Sequence, residues 1–165
     1  MSLTKSLIAE IKHESEGTKR MIQAVPAESF EWRPHAKSMK LKTLATHIVG
    51  LADWPELIAK MDELDLAGDT LKNIDVKTND DLVAELEQRT QKSIETLQSV
   101  NDEDLNEIWT LRAGDRLILQ LPKAVAIRSM ALNHLYHHRA QLSVYLRLLD
   151  IPIPGLYGPS ADEKA

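Results

Sequence analysis

The stretch PKAVAIRSMALNHLYHHRAQLSVYLRLLD, from Pro122 to Asp150, decides the fold of this chain. It has no Gly, no Pro after its first residue, and many Leu, Ala, Arg and Met residues, so we predict one long helix. Apolar residues lie almost all round this helix: Val125, Ile127, Met130, Leu132, Leu135, Leu142, Val144, Leu146, Leu148 and Leu149. A helix of this kind is normally central, and we expect neighbouring elements to cover most of its sides.

Three histidines lie in the middle of this helix, where a polar group is costly unless it is satisfied. His134 and His138 are four residues apart, so they share one face, with Cβ atoms about 6 Å apart. Two imidazoles in this relation can bind one metal ion, as in helical zinc motifs. The alternative is a pair of core histidines hydrogen-bonded to backbone or water. His137 lies about 100° round the helix from His138 and should face elsewhere.

A third histidine lies in a second predicted helix, which begins near Leu41. His47 takes a core position in its apolar stripe, one turn from Leu44 and one turn from Leu51. Pro55 interrupts the same stripe and should kink the helix or restart it there.

The three inward-facing imidazoles have no identifiable internal partner, so a divalent metal ion is the simplest group that would satisfy them. We therefore predict His47, His134 and His138 as metal ligands. Imidazole suits zinc, nickel, copper and iron alike, so the residues do not identify the metal. Zinc or nickel is the leading expectation, with the identity left open.

Two more amphipathic helices are predicted, at about residues 3–24 and 79–99. Pro26 ends the first of these, and Thr78 is placed to be the N-cap of the second. The 79–99 helix carries no histidine and no acidic residue that clearly falls in its apolar stripe. We therefore expect it to serve packing alone.

The rest of the chain lacks a helical period. Residues 108–111 and 117–119 flank Ala113-Gly114-Asp115, a pattern typical of a short hairpin, while residues 64–77 are turn-rich and weakly periodic. We predict an all-α four-helix bundle, one domain over residues 1–165, with long loops and a short β-hairpin before the last helix.

Composition narrows the functional classes. The chain contains no cysteine, which excludes disulfides, thiolate metal sites and a cysteine nucleophile. A net charge of −5, one Phe and three Tyr argue against nucleic-acid binding. No signal peptide and no apolar run of about 20 residues is visible, so we expect a cytoplasmic protein with no membrane partner.

The sequence resembles the DinB (damage-inducible) family, which includes the YfiT-like metal-dependent enzymes. The resemblance covers nearly the whole chain. It rests on the loop Trp32-Arg33-Pro34, on His47 within Leu44-Ala45-Thr46-His47-Ile48, on the segment from Asn133 to Leu142, and on the tail from Pro154 to Glu163. Many relatives read His-Arg-Gly-Gln where this chain has His138-Arg139-Ala140-Gln141.

This resemblance implies a bundle in up-down-down-up order, often a homodimer, with a divalent metal held by His47, His134 and His138. Characterised relatives are transferases and isomerases that use low-molecular-weight thiols. The resemblance therefore implies a metal-dependent thiol S-transferase that acts on small molecules.

Several functions remain open at this level. Three protein ligands leave a coordination position free, which is typical of catalytic metal sites. A hydrolase using metal-bound hydroxide and a non-catalytic metal-binding stress protein are the alternatives to the transferase, and a metal-free bundle with a satisfied histidine cluster is a further one. Leu51, Trp54 and Tyr145 share the faces of the ligands and are candidate pocket-lining residues, with plain core packing as the alternative. No general base is identifiable.

Overall fold

The computed structural model describes residues 2–71 and 73–163, and these residues are mostly helical. Helices α1 (Leu3–Gln23) and α4 (Asn79–Ser99) are continuous, as predicted. A capping box begins α4. The Thr78 hydroxyl accepts a hydrogen bond from the backbone N–H of Asp81, and the Asp81 carboxylate accepts one from the backbone N–H of Thr78.

The second helical segment is divided into α2 (Leu41–Gly50), a 3₁₀ turn (Leu51–Asp53) and α3 (Trp54–Lys60). Pro55 lies in the first turn of α3, where no backbone N–H is needed. The predicted restart at Pro55 is therefore confirmed, and it places His47 on α2.

The last helical segment joins α5 (Lys123–Ala126), a π-helical stretch (Ile127–Asn133) and α6 (His134–Leu148). The residues at both junctions, Ile127 and His134, have right-handed helical dihedrals, so the segment is one continuous helix as predicted. The π stretch was not predicted. It takes more residues per turn than an α-helix, and it ends directly before the histidine-bearing turn.

The expectation that neighbours would cover most sides of this helix is wrong. Val125, Val144 and Leu148 are 47, 57 and 58% exposed. Its α6 part packs against α2 and α1, and its π stretch packs against α3, while these three residues remain open to solvent. A helix in a bundle needs only one buried side, so an apolar residue on the outer side is not by itself evidence of burial.

The sheet is larger than the predicted hairpin. β2 (Ile108–Ala113) and β3 (Arg116–Pro122) form that hairpin as antiparallel neighbours. A third strand, β1 (Glu63–Asp65), pairs with β2 in parallel, giving the order β1-β2-β3. The fold is therefore mostly helical with a small mixed sheet, a correction to the all-α expectation.

Side-chain contacts attach β1 to the hairpin. The Arg112 guanidinium donates to the carboxylates of Glu63 at 2.9 Å and Asp65 at 2.6 Å. Asp65 also accepts a hydrogen bond of 2.9 Å from the N–H of Gly114, which turns the hairpin in the left-handed region at φ 57°. These contacts join residues about 50 positions apart, which local periodicity does not predict.

Two apolar clusters fill the interior. One lies beside the sheet and includes Trp109 and Leu64, and the other surrounds α2 and includes Ile48. Leu135 of α6 packs against both clusters. The turn of α6 that carries His134 therefore lies where the two clusters meet.

A buried ion pair joins α1 to α6. Arg139 is 2% exposed and Glu14 is 7% exposed. The Arg139 guanidinium donates to the Glu14 carboxylate at 2.6 Å and to the Thr18 hydroxyl at 3.0 Å. It also contacts the hydroxyl of Tyr157, which in turn donates to Glu14 at 2.8 Å. Residues 151–163 form no helix or strand, and Tyr157 attaches this segment to the pair.

Candidate metal centre

The three histidines predicted as ligands lie together. The Nε2 atom of His134 is 2.8 Å from Nε2 of His138 and 3.4 Å from Nε2 of His47. One nitrogen from each residue lies within 4.8 Å of the other two. His138 is buried and the other two are half-buried. Helices α2 and α6 thus bring the predicted residues into one cluster.

The size of the cluster fits a single ion. Ligand nitrogens at about 2.0–2.1 Å from a tetrahedral ion are roughly 3.3 Å from one another. The 3.4 Å between His47 and His134 is close to that value. The 2.8 Å between His134 and His138 is a hydrogen-bond distance, which one proton shared between two imidazoles also explains. The three histidines could therefore hold a metal ion after a small separation of that pair.

Burial lowers the pKa of all three imidazoles. The pKa of His47 falls to about 4, through burial first and then through the neighbouring His138 and His134. Burial also dominates the lowered pKa values of His134 and His138, while the Met130 carbonyl and Gln141 act in the opposite direction. Neutral imidazole is the form that binds metal, so the cluster favours the ligand state near neutral pH.

The metal-free protein should become less stable as the pH falls from about 6.5 towards the His47 pKa of about 4. In this window the unfolded state binds a proton at position 47 that the folded state does not, so acid favours unfolding. Urea midpoints measured in chelator at several pH values across the window test this. The His47→Gln variant should show a weaker pH dependence, and the exposed-site control His13→Gln should keep that of the wild type. Equal midpoints for the wild type across the window would contradict the assignment.

A side chain that sequence reasoning missed contacts the cluster. The Nδ1 atom of His138 is 2.8 Å from Oε1 of Gln141, and Nε2 of Gln141 is 2.9 Å from Nε2 of His137. His137 is exposed and lies outside the cluster of three. Gln141 is three residues after His138 and four residues after His137. Both intervals place side chains on one helix face, so this spacing was the signal in the sequence that could have indicated the contact. The buried Nδ1 of His134 makes no hydrogen bond of normal geometry to the described residues.

A cavity of about 580 Å³ adjoins the cluster, with His47 and Trp54 on its wall. The Trp54 ring is 6.4 Å from the His134 ring. The other two candidate pocket residues lie in the core clusters: Leu51 beside the sheet, and Tyr145 around α2, where its hydroxyl donates to the Met39 carbonyl at 3.1 Å.

Helix α4 also contributes to this cavity, so the expectation that it serves packing alone is wrong. Gln88, Arg89 and Lys92 lie on the cavity wall. The Arg89 guanidinium pairs with the carboxylates of Asp53 and Glu85. A charged residue on an amphipathic helix usually faces solvent, and only the packing of α4 against α2 and α3 turns these side chains towards the cavity.

The comparison with protein families agrees with the fold and the histidine pattern. The model of the DinB family matches residues 1–165. The chain belongs to the DinB family. Two solved structures of DinB-like proteins show the same fold. One, from Bacillus subtilis, has a TM-score of 0.68 at 15% identity, covering 97% of this chain and 99% of that one. The other, from Bacillus cereus, has a TM-score of 0.70 at 20% identity, covering 93% and 97%.

At these identities the DinB structures support the fold alone. A search of curated proteins found no match to this DinB chain. Across the residues that the structure describes, none of the helices has the length and apolarity needed to cross a membrane.

Proposed function

We propose that this DinB protein binds a divalent ion, zinc or nickel, through His47, His134 and His138, and acts as a metal-dependent thiol S-transferase on small molecules. One observation carries the proposal: three imidazole nitrogens with lowered pKa values meet within 4.8 Å of one another. A structural role would need no cavity beside the ligands. Here His47 also lies on the wall of a cavity of about 580 Å³, a size suited to a small molecule.

The chain's own residues set the conditions at this site. Three neutral ligands would leave the full charge of the ion uncompensated, and a divalent ion lowers the pKa of a thiol or water that it binds. Because the chain has no cysteine, the thiol would be a low-molecular-weight cosubstrate. Trp54 supplies an apolar surface beside His134, while Gln88 and Lys92 supply polar groups across the cavity for the second substrate.

We also propose a homodimer. The support is the outer side of the last helical segment, where Val125, Val144 and Leu148 are exposed. Association of two copies would remove such apolar residues from water.

A small thiol should change the visible spectrum of the cobalt-substituted protein. Sulfur ligation to cobalt gives intense charge-transfer bands, whereas an alcohol of the same size gives none. Several low-molecular-weight thiols should be titrated into the cobalt form, with matched alcohols as controls. The His134→Ala variant, prepared in the same way, should show no change.

The titration also separates the alternatives. If small anions that replace water alter the spectrum while no thiol does, a hydrolase that activates water is the better assignment. If neither thiols nor anions alter it, the ion is closed to ligands and the site is structural.

A further inference from the structure

The face of α6 next to the histidine cluster carries a short chain of hydrogen bonds. It runs from Nδ1 of His138 to Oε1 of Gln141, and from Nε2 of Gln141 to Nε2 of His137. His138 is buried, Gln141 is half-buried and His137 is exposed. The chain therefore leads from the candidate ligand outward to solvent.

The direction of these hydrogen bonds decides which nitrogen of His138 carries the proton. A neutral imidazole has one N–H and one lone pair. With the Gln141 oxygen facing Nδ1, that nitrogen carries the hydrogen and donates, and Nε2 keeps its lone pair. Nε2 is the atom that lies 2.8 Å from Nε2 of His134 and belongs to the cluster. A reversed amide would present N–H groups to Nδ1, and the proton would then occupy Nε2.

The Gln141 amide lies with its oxygen towards Nδ1 of His138 and its nitrogen towards Nε2 of His137, which is 2.9 Å away and accepts in this arrangement. Nδ1 of His134 has no side-chain partner of normal hydrogen-bond geometry among the described residues, and the backbone carbonyl of Met130 acts on that imidazole instead. Of the two candidate ligands on α6, His138 is thus the one whose Nδ1 atom has a side-chain partner.

We propose that Gln141 is a positioning residue for the metal centre: it holds His138 in the Nδ1–H form and aims the Nε2 lone pair into the cluster. The inference rests on the proposed metal-binding function. Groups that bond the far nitrogen of a ligating histidine fix its tautomer, and their loss typically lowers metal affinity about 10–100-fold.

The test compares Gln141→Leu, which removes the acceptor, with Gln141→Glu, which keeps an oxygen facing Nδ1. Zinc and cobalt affinities are measured by competition with a chromophoric chelator. We expect Gln141→Leu to bind about 10–100-fold more weakly and Gln141→Glu to stay within about tenfold of the wild type. Gln98→Leu, an exposed glutamine on α4, is the matched control and should bind as the wild type does.

A second readout needs no metal. Nitrogen-15 shifts of His138 in the metal-free protein should show the Nδ1–H form in the wild type and in Gln141→Glu, and a shift towards the Nε2–H form in Gln141→Leu. If Gln141→Leu does not fold, the comparison of wild type with Gln141→Glu still shows whether the Nδ1–H form exists.

The two proposals fail in different ways. Suppose that the wild type binds no metal, but has His138 in the Nδ1–H form and loses that form in Gln141→Leu. This result would overturn the proposed function and leave Gln141 controlling the tautomer. If the wild type binds metal but has His138 in the Nε2–H form, or if Gln141→Leu binds metal as tightly as the wild type, only the role of Gln141 is overturned.

Discussion

His134→Ala should remove tight metal binding. The Nε2 atom of His134 lies between those of the other two histidines, at 2.8 Å from His138 and 3.4 Å from His47. Losing one of three ligands should weaken binding by more than about 100-fold, beyond the roughly 10–100-fold that loss of a supporting residue costs. Equilibrium dialysis followed by elemental analysis gives the stoichiometry, and chelator competition gives the affinity. His47→Ala and His138→Ala should behave in the same way.

The control for this experiment is His137→Ala. His137 is exposed and contributes no nitrogen to the cluster, so this variant should bind metal within about tenfold of the wild type. If it loses metal as fully as His138→Ala does, the assignment of helix faces on α6 is wrong. If all four variants keep the wild-type stoichiometry, the ion is held elsewhere.

Glu14→Ala should destabilise the protein by about 3–5 kcal/mol, the usual cost of leaving one member of a buried ion pair without its partner. Arg139 would keep hydrogen bonds to the Thr18 hydroxyl and the Glu14 carbonyl, but no carboxylate would balance its charge. Tyr157 would lose its acceptor on α1 in the same change. The free energy of unfolding in urea measures the effect.

Two further variants test whether the lost stability comes from the unpaired charge of Arg139. Glu16→Ala, at an exposed position on the same helix, should change the free energy of unfolding by no more than about 0.5 kcal/mol. The double variant Glu14→Leu with Arg139→Met should be more stable than Glu14→Ala, because it removes the charge together with its partner. If Glu14→Ala is as stable as Glu16→Ala, other groups must solvate the Arg139 guanidinium when the Glu14 carboxylate is removed.

The candidate site was predictable wherever a single helix sets the geometry. His134 and His138 share a face because they are four residues apart, and His47 follows the apolar stripe of α2. Gln141 obeys the same spacing rule, yet a glutamine next to a histidine predicts no particular bond until their orientations are known. Arg89 was missed for another reason, since nothing along α4 indicates that its polar side meets a cavity.

The amino-acid sequence by itself determined the helix boundaries, because their causes are local: the Thr78 cap, the first-turn Pro55 and the apolar periods of α1 and α4. Only the tertiary structure decided the parallel pairing of β1, since three residues carry too little local preference to identify a strand. It also decided which apolar residues are covered. Val144 and Leu142 are both apolar residues on one helix, yet the first faces solvent and the second is buried. Burial depends on which neighbours a face meets, and that is a property of the assembled bundle.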